Sequence, residues 1–217
     1  ELSSFNLEDL KVSPRFAIVT NNFPDHLNRY KNFAEYKRVK ANIFKYQKKG
    51  GFLLRGDRTK VLSKKQNLDL KSCLMSPTSF WLASSLALRL GVKDRDIKKR
   101  LKSFKPAEGR IEYLGKIRGV YVINDTASTN PDSALFSLAL VKKCFHLTSS
   151  RIILIAGGEN KKLSYKNFSQ KIKDLKKVIL MPGSASNQIT GRNILRLNSL
   201  NAAVKNAFEL AKAGDRI

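Results

Sequence analysis

Residues 119–131 read Gly119-Val-Tyr-Val-Ile-Asn-Asp-Thr-Ala-Ser-Thr-Asn-Pro131. The first half is rich in valine, isoleucine and tyrosine and predicts a short strand, and the second half predicts a polar loop. Pro131 stands where a helix would begin, because proline is tolerated in the first helical turn, and residues 133–142 continue with a helix-like run. The loop therefore lies at the carboxyl end of a strand, where open α/β sheets bind their ligands.

A break at Lys105-Pro106 divides the chain, and beyond it strands and helices alternate. The predicted strands are 16–20, 50–54, 119–123, 152–156 and 178–181. The predicted helices are 33–48, a buried helix 78–90, a short helix capped by Asp94 or Asp96, and 133–142, 166–175 and 202–213. Alternation of this kind is typical of a parallel sheet with helices on both faces. We therefore predict an α/β chain of two domains, residues 1–106 and 107–217.

The composition allows two classes of partner. The chain has 217 residues, 42% of them hydrophobic, and a formal net charge of +25. Such a charge is typical of nucleic-acid binding, but it also suits a lysine-rich protein with small anionic substrates. The basic residues are scattered over most predicted helices, and no RRM, KH or zinc-finger pattern accompanies them. We favour small anionic substrates and do not expect a nucleic-acid partner.

The cysteines and the apolar runs indicate a cytoplasmic protein. Cys73 and Cys144 lie among apolar residues without metal-ligand spacing, so we expect two reduced, buried thiols. No apolar run approaches the roughly 20 residues that span a bilayer, and no membrane partner is expected. Because the chain opens on Glu1 and its last residues, 214–217, read like a helix cap followed by a strand, we expect an internal fragment of a longer protein.

The helix predicted over residues 33–48 carries an inward lysine. Its apolar face is marked by Phe33, Tyr36, Ile43 and Phe44, and Lys40 falls on the same face at helical spacing. An inward ammonium is costly unless it is paired or chemically altered. Two interpretations remain open: a lysine at the edge of the face that reaches solvent, or a lysine held beside a metal or a phosphate.

A histidine follows the first predicted strand. His26 comes directly after Asp25, and an imidazole beside a carboxylate at the end of a strand suits a metal site or acid–base chemistry. A lone histidine is more often structural, so both interpretations remain open here.

Two cationic side chains lie near other predicted strand ends. Gly157-Gly158 allows the backbone to approach a ligand closely, so that Lys161 could meet a carboxylate or a phosphate, although paired glycines also form ordinary turns. Arg110 follows the break at Pro106, where it could bind a phosphate or belong to a surface salt-bridge segment.

Six segments, taken in order, resemble one family. They are Glu1-Leu-Ser-Ser-Phe5, Thr20-Asn-Asn-Phe-Pro-Asp-His-Leu-Asn-Arg-Tyr30, Tyr36-Lys-Arg-Val-Lys40, Glu108-Gly-Arg-Ile-Glu112, Asn124-Asp-Thr-Ala-Ser-Thr-Asn-Pro131 and Gly157-Gly-Glu-Asn-Lys161. Together they are similar to the Mur ligases, the ATP-dependent amide-forming enzymes of peptidoglycan synthesis. The resemblance implies an incomplete central ATPase domain followed by a C-terminal Rossmann-like, doubly wound domain. It places the phosphate loop and the uridine-nucleotide domain upstream of Glu1.

The resemblance also implies an activity and its partners. The Asn124-Asp125 form of the loop favours, within the family, the ligase that adds D-glutamate to UDP-N-acetylmuramoyl-L-alanine through an acyl phosphate. ATP and Mg²⁺ are the implied cofactors, and a monomer is expected. The fragment alone would be inactive because the phosphate loop is absent from it.

Roles for individual residues follow from the same resemblance. Glu1, His26 and Lys40 would hold magnesium, with Lys40 as a carbamylated lysine. Asn124, Asp125 and Arg110 would contact ATP, and Ser128, Thr129 and Lys161 would meet D-glutamate. His26, Lys40 and Asp125 would be the catalytic residues.

Three segments depart from the family pattern. Ser76-Pro-Thr-Ser-Phe80 stands where the family has His-Asn-x-x-Asn, Leu54-Arg-Gly-Asp57 stands for Asn-Ala-Asp-Asp, and Ala127 stands where a lysine is common. A divergent but active ligase is our first interpretation. A non-catalytic Mur-like protein and a basic nucleic-acid-binding protein are the alternatives.

Overall fold

The computed structural model of the chain describes residues 1–56, 77–105 and 107–217. The chain divides into two compact units, residues 1–105 and 106–217, which are described separately. Asp57, Cys73 and Ser76, which belong to segments discussed above, lie outside the described residues.

The first unit packs short helices against a parallel pair of strands. Its elements are α1 (Ser4–Leu7), β1 (Phe16–Val19), α2 (Phe33–Lys40), α3 (Asn42–Lys45), β2 (Phe52–Arg55), α4 (Pro77–Arg89) and α5 (Asp94–Lys102). β1 pairs with β2 in parallel, with Phe16 opposite Phe52. Leu7, Tyr36 and Leu82 are among the buried side chains, so this core draws on α1, α2 and α4.

Several expectations for the first unit are wrong in detail. The helix expected over 33–48 is interrupted at Ala41, a turn residue between α2 and α3. α4 is not buried all round, because Leu82 is enclosed while Trp81 and Leu88 are exposed. Neither expected aspartate caps α5: its N-cap is Lys93, without a side-chain hydrogen bond, and Asp94 and Asp96 lie within the first turn, where a carboxylate favours the helix dipole.

The second unit contains a hairpin and a parallel sheet. Its elements are β3 (Glu112–Ile117), β4 (Val120–Asn124), α6 (Pro131–Cys144), β5 (Ile153–Ala156), α7 (Lys166–Ile172), β6 (Lys177–Leu180), β7 (Ile194–Arg196) and α8 (Leu200–Leu210), with 3₁₀ turns at Ser149–Arg151 and Ser186–Gln188. β3 and β4 are antiparallel, and their turn has positive φ at both Arg118 and Gly119, the conformation of a tight hairpin. β5, β6 and β7 are parallel in that order.

Residues 215–217 connect the hairpin to the parallel strands. Tyr121 N–H donates to the Asp215 carbonyl at 2.9 Å, and Ile153 N–H donates to the Arg216 carbonyl at 2.8 Å. Both bridges to Arg216, from Tyr121 and from Ile152, are parallel. This segment therefore lies between β4 and β5 and brings the two groups of strands into register.

The core of the second unit lies between the parallel strands and α8. Ile153 and Ile179 are fully enclosed, and Ala203 and Ala207 of α8 pack against them. Alanine at these positions allows the helix backbone to approach the strands closely. The parallel arrangement was expected for β5 and β6, whereas β3 and β7 were not predicted, and α7 ends at Ile172 rather than at 175.

The cysteines and the apolar helices were both the subject of expectations from the sequence. Cys144 is half-buried, and Cys73 lies outside the described residues. Within the described ranges, no helix combines the length and the apolar character needed to cross a membrane.

Candidate functional site

The polar loop that follows β4 is fixed at its far end by the start of α6. The Asn130 side chain accepts the Ser133 N–H at 2.9 Å, and the Ser133 hydroxyl donates to the Asn130 carbonyl at 2.8 Å. Pro131 occupies the first turn, where no hydrogen-bond donor is needed. This capping arrangement ends the loop sharply and holds Ser128 and Thr129 at the edge of the sheet.

Asn124 and Asp125 tie the loop to the segment that carries Arg110. Asp125 Oδ1 accepts the Ile111 N–H at 3.0 Å, and the Asn124 amide donates to Glu112 Oε2 at 3.1 Å. The same Glu112 oxygen accepts the Gly109 N–H at 3.0 Å. Arg110 is exposed on the resulting turn. Both predicted ATP-contacting side chains of the loop therefore shape the turn on which Arg110 lies.

The turn at Arg110 depends on an unusual backbone. Gly109 and Ile111 both have positive φ, 72° and 50°. A Cβ at Gly109 would lie 2.7 Å from the Thr126 hydroxyl, so the loop leaves no room for a side chain there. Glu112 belongs to the segment 108–112, but no role was predicted for it. Its carboxylate accepts hydrogen bonds from Gly109 and Asn124 and so holds them together. Its position three residues after Gly109 was the signal in the sequence that could have indicated this role.

The structure brings Thr129 and Lys161 together. Lys161 Nζ donates to Thr129 Oγ1 at 3.3 Å, although 32 residues separate them. Thr129 lies beyond the end of β4 and Lys161 beyond the end of β5, at the same edge of the unit. Ser128 is directed elsewhere, since its hydroxyl lies 3.2 Å from that of the buried Ser137 on α6. Thr129 and Lys161 are the two predicted amino-acid ligands that meet.

The loop after β6 supports the loop that carries Lys161. Ser184 Oγ donates to Glu159 Oε2 at 2.5 Å and accepts the Asn160 N–H at 2.8 Å. Gly183 lies against Gly158 so closely that a Cβ on Gly183 would overlap the Gly158 carbonyl. The paired glycines thus serve close packing between two loops, and they leave Lys161 in a fixed position.

His26 lies in the loop after β1 in the first unit. Its backbone is left-handed, with φ of 53°, and Asp25 Oδ1 accepts its N–H at 2.8 Å. Asp25 is only 8% exposed, and its Oδ2 lies 3.8 Å from His26 Nε2. A buried carboxylate therefore fixes the His26 backbone and lies beside the half-buried imidazole.

Lys40 reaches the same loop. It is half-buried, its Nζ donates to the Asn21 carbonyl at 3.3 Å, and it lies 5.4 Å from the centre of the Tyr36 ring. Burial chiefly, with the nearby charge of Asp25, raises the pKa of Tyr36 to about 12, so this phenol stays neutral. Lys40 and His26 thus belong to one cluster around the loop after β1, whereas the Glu1 side chain is exposed.

The cluster fits magnesium only after a chemical change at Lys40. No three His, Cys, Asp or Glu side chains in the described parts of the chain form a metal-binding group. Asp25 and His26 supply a carboxylate and an imidazole, but the Lys40 ammonium would repel a cation. A carbamate on Lys40 would replace that charge with oxygen donors, the ligands that Mg²⁺ prefers.

Two family models match the chain. The model for the Mur ligase middle domain matches residues 1–124, and the model for the Mur ligase glutamate ligase domain matches residues 109–217. UDP-N-acetylmuramoylalanine–D-glutamate ligases are similar over the full length of the chain. The relative from Thermoanaerobacter sp. strain X514 is 29% identical over 100% of this chain and 58% of its own length, and that from Borreliella afzelii is 31% identical over 99% and 56%.

Solved structures show a similar fold. The MurF ligase of Thermotoga maritima in complex with ADP matches with a TM-score of 0.73 and 14% identity, over 94% of this chain and 57% of that one. The UDP-N-acetylmuramate-alanine ligase MurC of Thermotoga maritima matches with a TM-score of 0.62 and 16% identity, over 94% and 55%. The chain spans just over half the length of each of these relatives.

Proposed function

Because the chain belongs to the Mur ligase family, we propose that it supplies the central and C-terminal domains of an ATP-dependent ligase that adds D-glutamate to UDP-N-acetylmuramoyl-L-alanine. The family model for the second unit is that of the glutamate ligase domain, and the relatives that match along the whole chain carry the name of this ligase. The observation that carries the proposal is the contact between Lys161 and Thr129.

Lys161 and Thr129 form a recognition pair suited to a carboxylate. A lysine ammonium and a threonine hydroxyl at 3.3 Å present a charge and a hydrogen-bond donor toward one point. Hydrogen bonds in which the donor or the acceptor is ionised are about twice as strong as those between neutral groups, so a D-glutamate carboxylate would be held and oriented there. The supporting contacts of Ser184 reduce the reorganisation that binding requires.

Arg110 suits the phosphate groups of ATP. Its guanidinium stays charged at any physiological pH and matches the oxygens of a phosphate in a bidentate manner. Asp125 and Glu112 hold the turn beneath it through backbone hydrogen bonds at 3.0 Å. In this proposal Asp125 and Asn124 act on ATP largely by placing Arg110.

The cluster of His26 and Lys40 in the first unit suits the binding of the magnesium ion that the reaction needs. The reaction passes through an acyl phosphate of the muramoyl-alanine carboxylate, which the D-glutamate amine attacks with loss of phosphate. Bound Mg²⁺ would neutralise charge on the transferred phosphoryl group. His26, whose backbone Asp25 fixes, and Lys40 as its carbamate would hold the ion, with Glu1 as the further ligand that the family implies.

Phosphate release by the full-length protein tests the proposal. We expect release from ATP only when UDP-N-acetylmuramoyl-L-alanine and D-glutamate are both present. Alanine and the dipeptide D-alanyl-D-alanine in place of D-glutamate are the matched controls, because the solved relatives include one named as an alanine ligase and one named as a D-alanyl-D-alanyl ligase. Turnover with either control, and none with D-glutamate, would refute the assignment of the amino acid while leaving a ligase.

Ala127 favours one second candidate, a Mur-like protein without catalysis. This half-buried residue stands in the loop beside Asp125, and its N–H donates to the Gly109 carbonyl at 2.9 Å. A lysine there would add a positive charge next to the ATP-binding turn, so its absence weakens phosphate binding. ATP binding by the full-length protein without phosphate release in the complete assay would support this candidate.

A further inference from the structure

An aromatic ring of α1 packs against His26. The edge of one ring meets the face of the other, because the Phe5 and His26 rings are 4.9 Å apart at an interplanar angle of 70°. α1 itself begins after Ser3, whose hydroxyl accepts the Asn6 N–H at 3.3 Å. Phe5 therefore connects the segment that starts at Glu1 with the loop that carries His26.

A cation that is held by a carboxylate also contacts the Phe5 ring. The Arg29 guanidinium lies 5.2 Å from the centre of the Phe5 ring. Arg29 Nε donates to Glu8 Oε1 at 2.7 Å, and Nη2 donates to Glu8 Oε2 at 2.6 Å. The Tyr30 hydroxyl donates to Glu8 Oε1 at 2.7 Å. Glu8, at the end of α1, thus accepts three hydrogen bonds from the turn that follows His26.

The turn from His26 to Tyr30 places Arg29 for this contact. The Arg29 and Tyr30 N–H groups donate to the His26 carbonyl at 2.9 and 3.1 Å. The hydrogen bonds from Arg29 and Tyr30 lower the pKa of Glu8 to about 2, so Glu8 is ionised at every physiological pH. Because the Arg29 side chain is 56% exposed, the ion pair contributes little to stability, and its consequence is geometric.

We propose that Glu8 and Arg29 are positioning residues for His26, and that they act by holding Phe5 against the imidazole. The bidentate pair fixes the orientation of the guanidinium, the guanidinium fixes the Phe5 ring, and the ring fixes the imidazole. The same contacts fasten the segment from Glu1 to the His26 loop. The functional consequence rests on the proposed role of His26 at the magnesium site, whereas the contacts themselves do not.

NMR of the 217-residue chain tests the positioning. The sequence contains two histidines, His26 in the first unit and His146 in the second, so His146 is an internal reference. We expect nuclear Overhauser effects between the Phe5 and His26 rings in the wild type. Glu8→Gln and Arg29→Lys should weaken or abolish them and shift the His26 signals, while the His146 signals stay unchanged.

Variants of Phe5 test whether its aromatic ring makes the contact that positions His26. Phe5→Tyr keeps the ring and should retain the contact, whereas Phe5→Leu should lose it. Phe104→Leu removes a similarly exposed ring, 49% against 45%, and should leave His26 unchanged. Retention of the Phe5–His26 contact in both Glu8→Gln and Arg29→Lys would overturn the proposal. If the Glu8→Gln variant fails to fold, the Arg29→Lys variant, which keeps the charge, is the deciding test of whether the Phe5–His26 contact is retained.

Turnover of the full-length protein tests the functional consequence. Loss of a residue that orients a metal ligand typically lowers metal affinity by about 10- to 100-fold. Glu8→Gln should therefore raise the Mg²⁺ concentration for half-maximal turnover by about tenfold or more, with a smaller effect on the rate at saturating Mg²⁺. An unchanged Mg²⁺ dependence would overturn this role. An inactive wild-type protein with intact ring contacts would refute the proposed function and leave the positioning supported.

Discussion

Replacement of the buried Asp215 by asparagine should destabilise the second unit strongly. The same replacement at the exposed Asp94 should destabilise the first unit far less. Asp215 is fully buried, with Lys176 Nζ at 2.5 Å and Arg151 Nε at 3.0 Å, and it also accepts the Lys212 N–H at 2.8 Å. Asparagine keeps the shape and the acceptor for Lys212 but leaves two cations without their counter-ion. The free energy of unfolding should fall accordingly.

The magnitude follows from the burial of the partners. Removal of one partner from a buried ion pair costs about 3–5 kcal/mol. The Lys176 and Arg151 side chains are 24% and 42% exposed and can regain water, so we expect about 2–3 kcal/mol. Asp94→Asn is the matched control, because Asp94 and Lys98 are also 2.5 Å apart but 60% and 71% exposed. It should cost less than about 1 kcal/mol.

Amide hydrogen exchange measures each unit separately. In Asp215→Asn, the buried strand amides of Ile153 and Ile179 should exchange about 30- to 150-fold faster, the equivalent of 2–3 kcal/mol. A change of less than fivefold in these amides would refute the reasoning that the carboxylate balances both cations. The same would follow if Asp94→Asn had an equal effect on the amides of the first unit.

The stability of the second unit at low pH should also depend on the Asp215 carboxyl group. Burial alone would raise the pKa of Asp215, but hydrogen bonds from Lys176 and Lys212 and the charges of Lys176 and Arg151 lower it overall. A lowered pKa contributes stability that is present above the ordinary carboxyl pKa of about 4 and is lost as the pH falls through the folded-state value. Wild type should therefore lose stability in the second unit below about pH 4, and Asp215→Asn should lack this part of the loss.

Three further predictions concern the candidate site in the full-length protein. Lys161→Met should raise the KM for D-glutamate about 10- to 100-fold, because a hydrogen bond to a charged group contributes about 1.5–3 kcal/mol. Lys162→Met is the control, and an unchanged KM in Lys161→Met would show that Lys161 does not belong to the site. Lys40→Ala should abolish turnover in a steady-state phosphate assay while Lys37→Ala does not, and near-normal activity would eliminate the carbamate proposal. Ala127→Lys should lower the KM for ATP because it adds a cation beside the Arg110 turn, and a higher KM would contradict that placement.

The sequence predicted the loop after β4 because its determinants are local. A β-branched run, a polar segment and Pro131 lie within 13 residues, and the capping by Asn130 confirms where the helix begins. The meeting of Thr129 and Lys161 could be anticipated as well, since parallel strands place their carboxyl ends at one edge.

Other features depend on contacts that no local pattern reveals. β3 escaped prediction because Gly115, with φ of 138°, interrupts it at an irregularity in the pairing, and β7 has only three residues. The break at Ala41 lies within an unbroken helical pattern. The binding of Asp215 by Lys176 and Arg151 joins residues that are 39 and 64 positions apart in sequence, and only the folded sheet brings them together.

The placement of residues 215–217 between β4 and β5 has a consequence for biosynthesis. The hairpin of β3 and β4 pairs residues close in sequence and can form as soon as it leaves the ribosome, and β5 to β7 can follow. The hairpin and the parallel strands acquire their register only when residues 215–217 insert between them. Thr129 and Lys161 lie on opposite sides of that insertion, so we expect the candidate amino-acid site to form only after residues 215–217 have been synthesised.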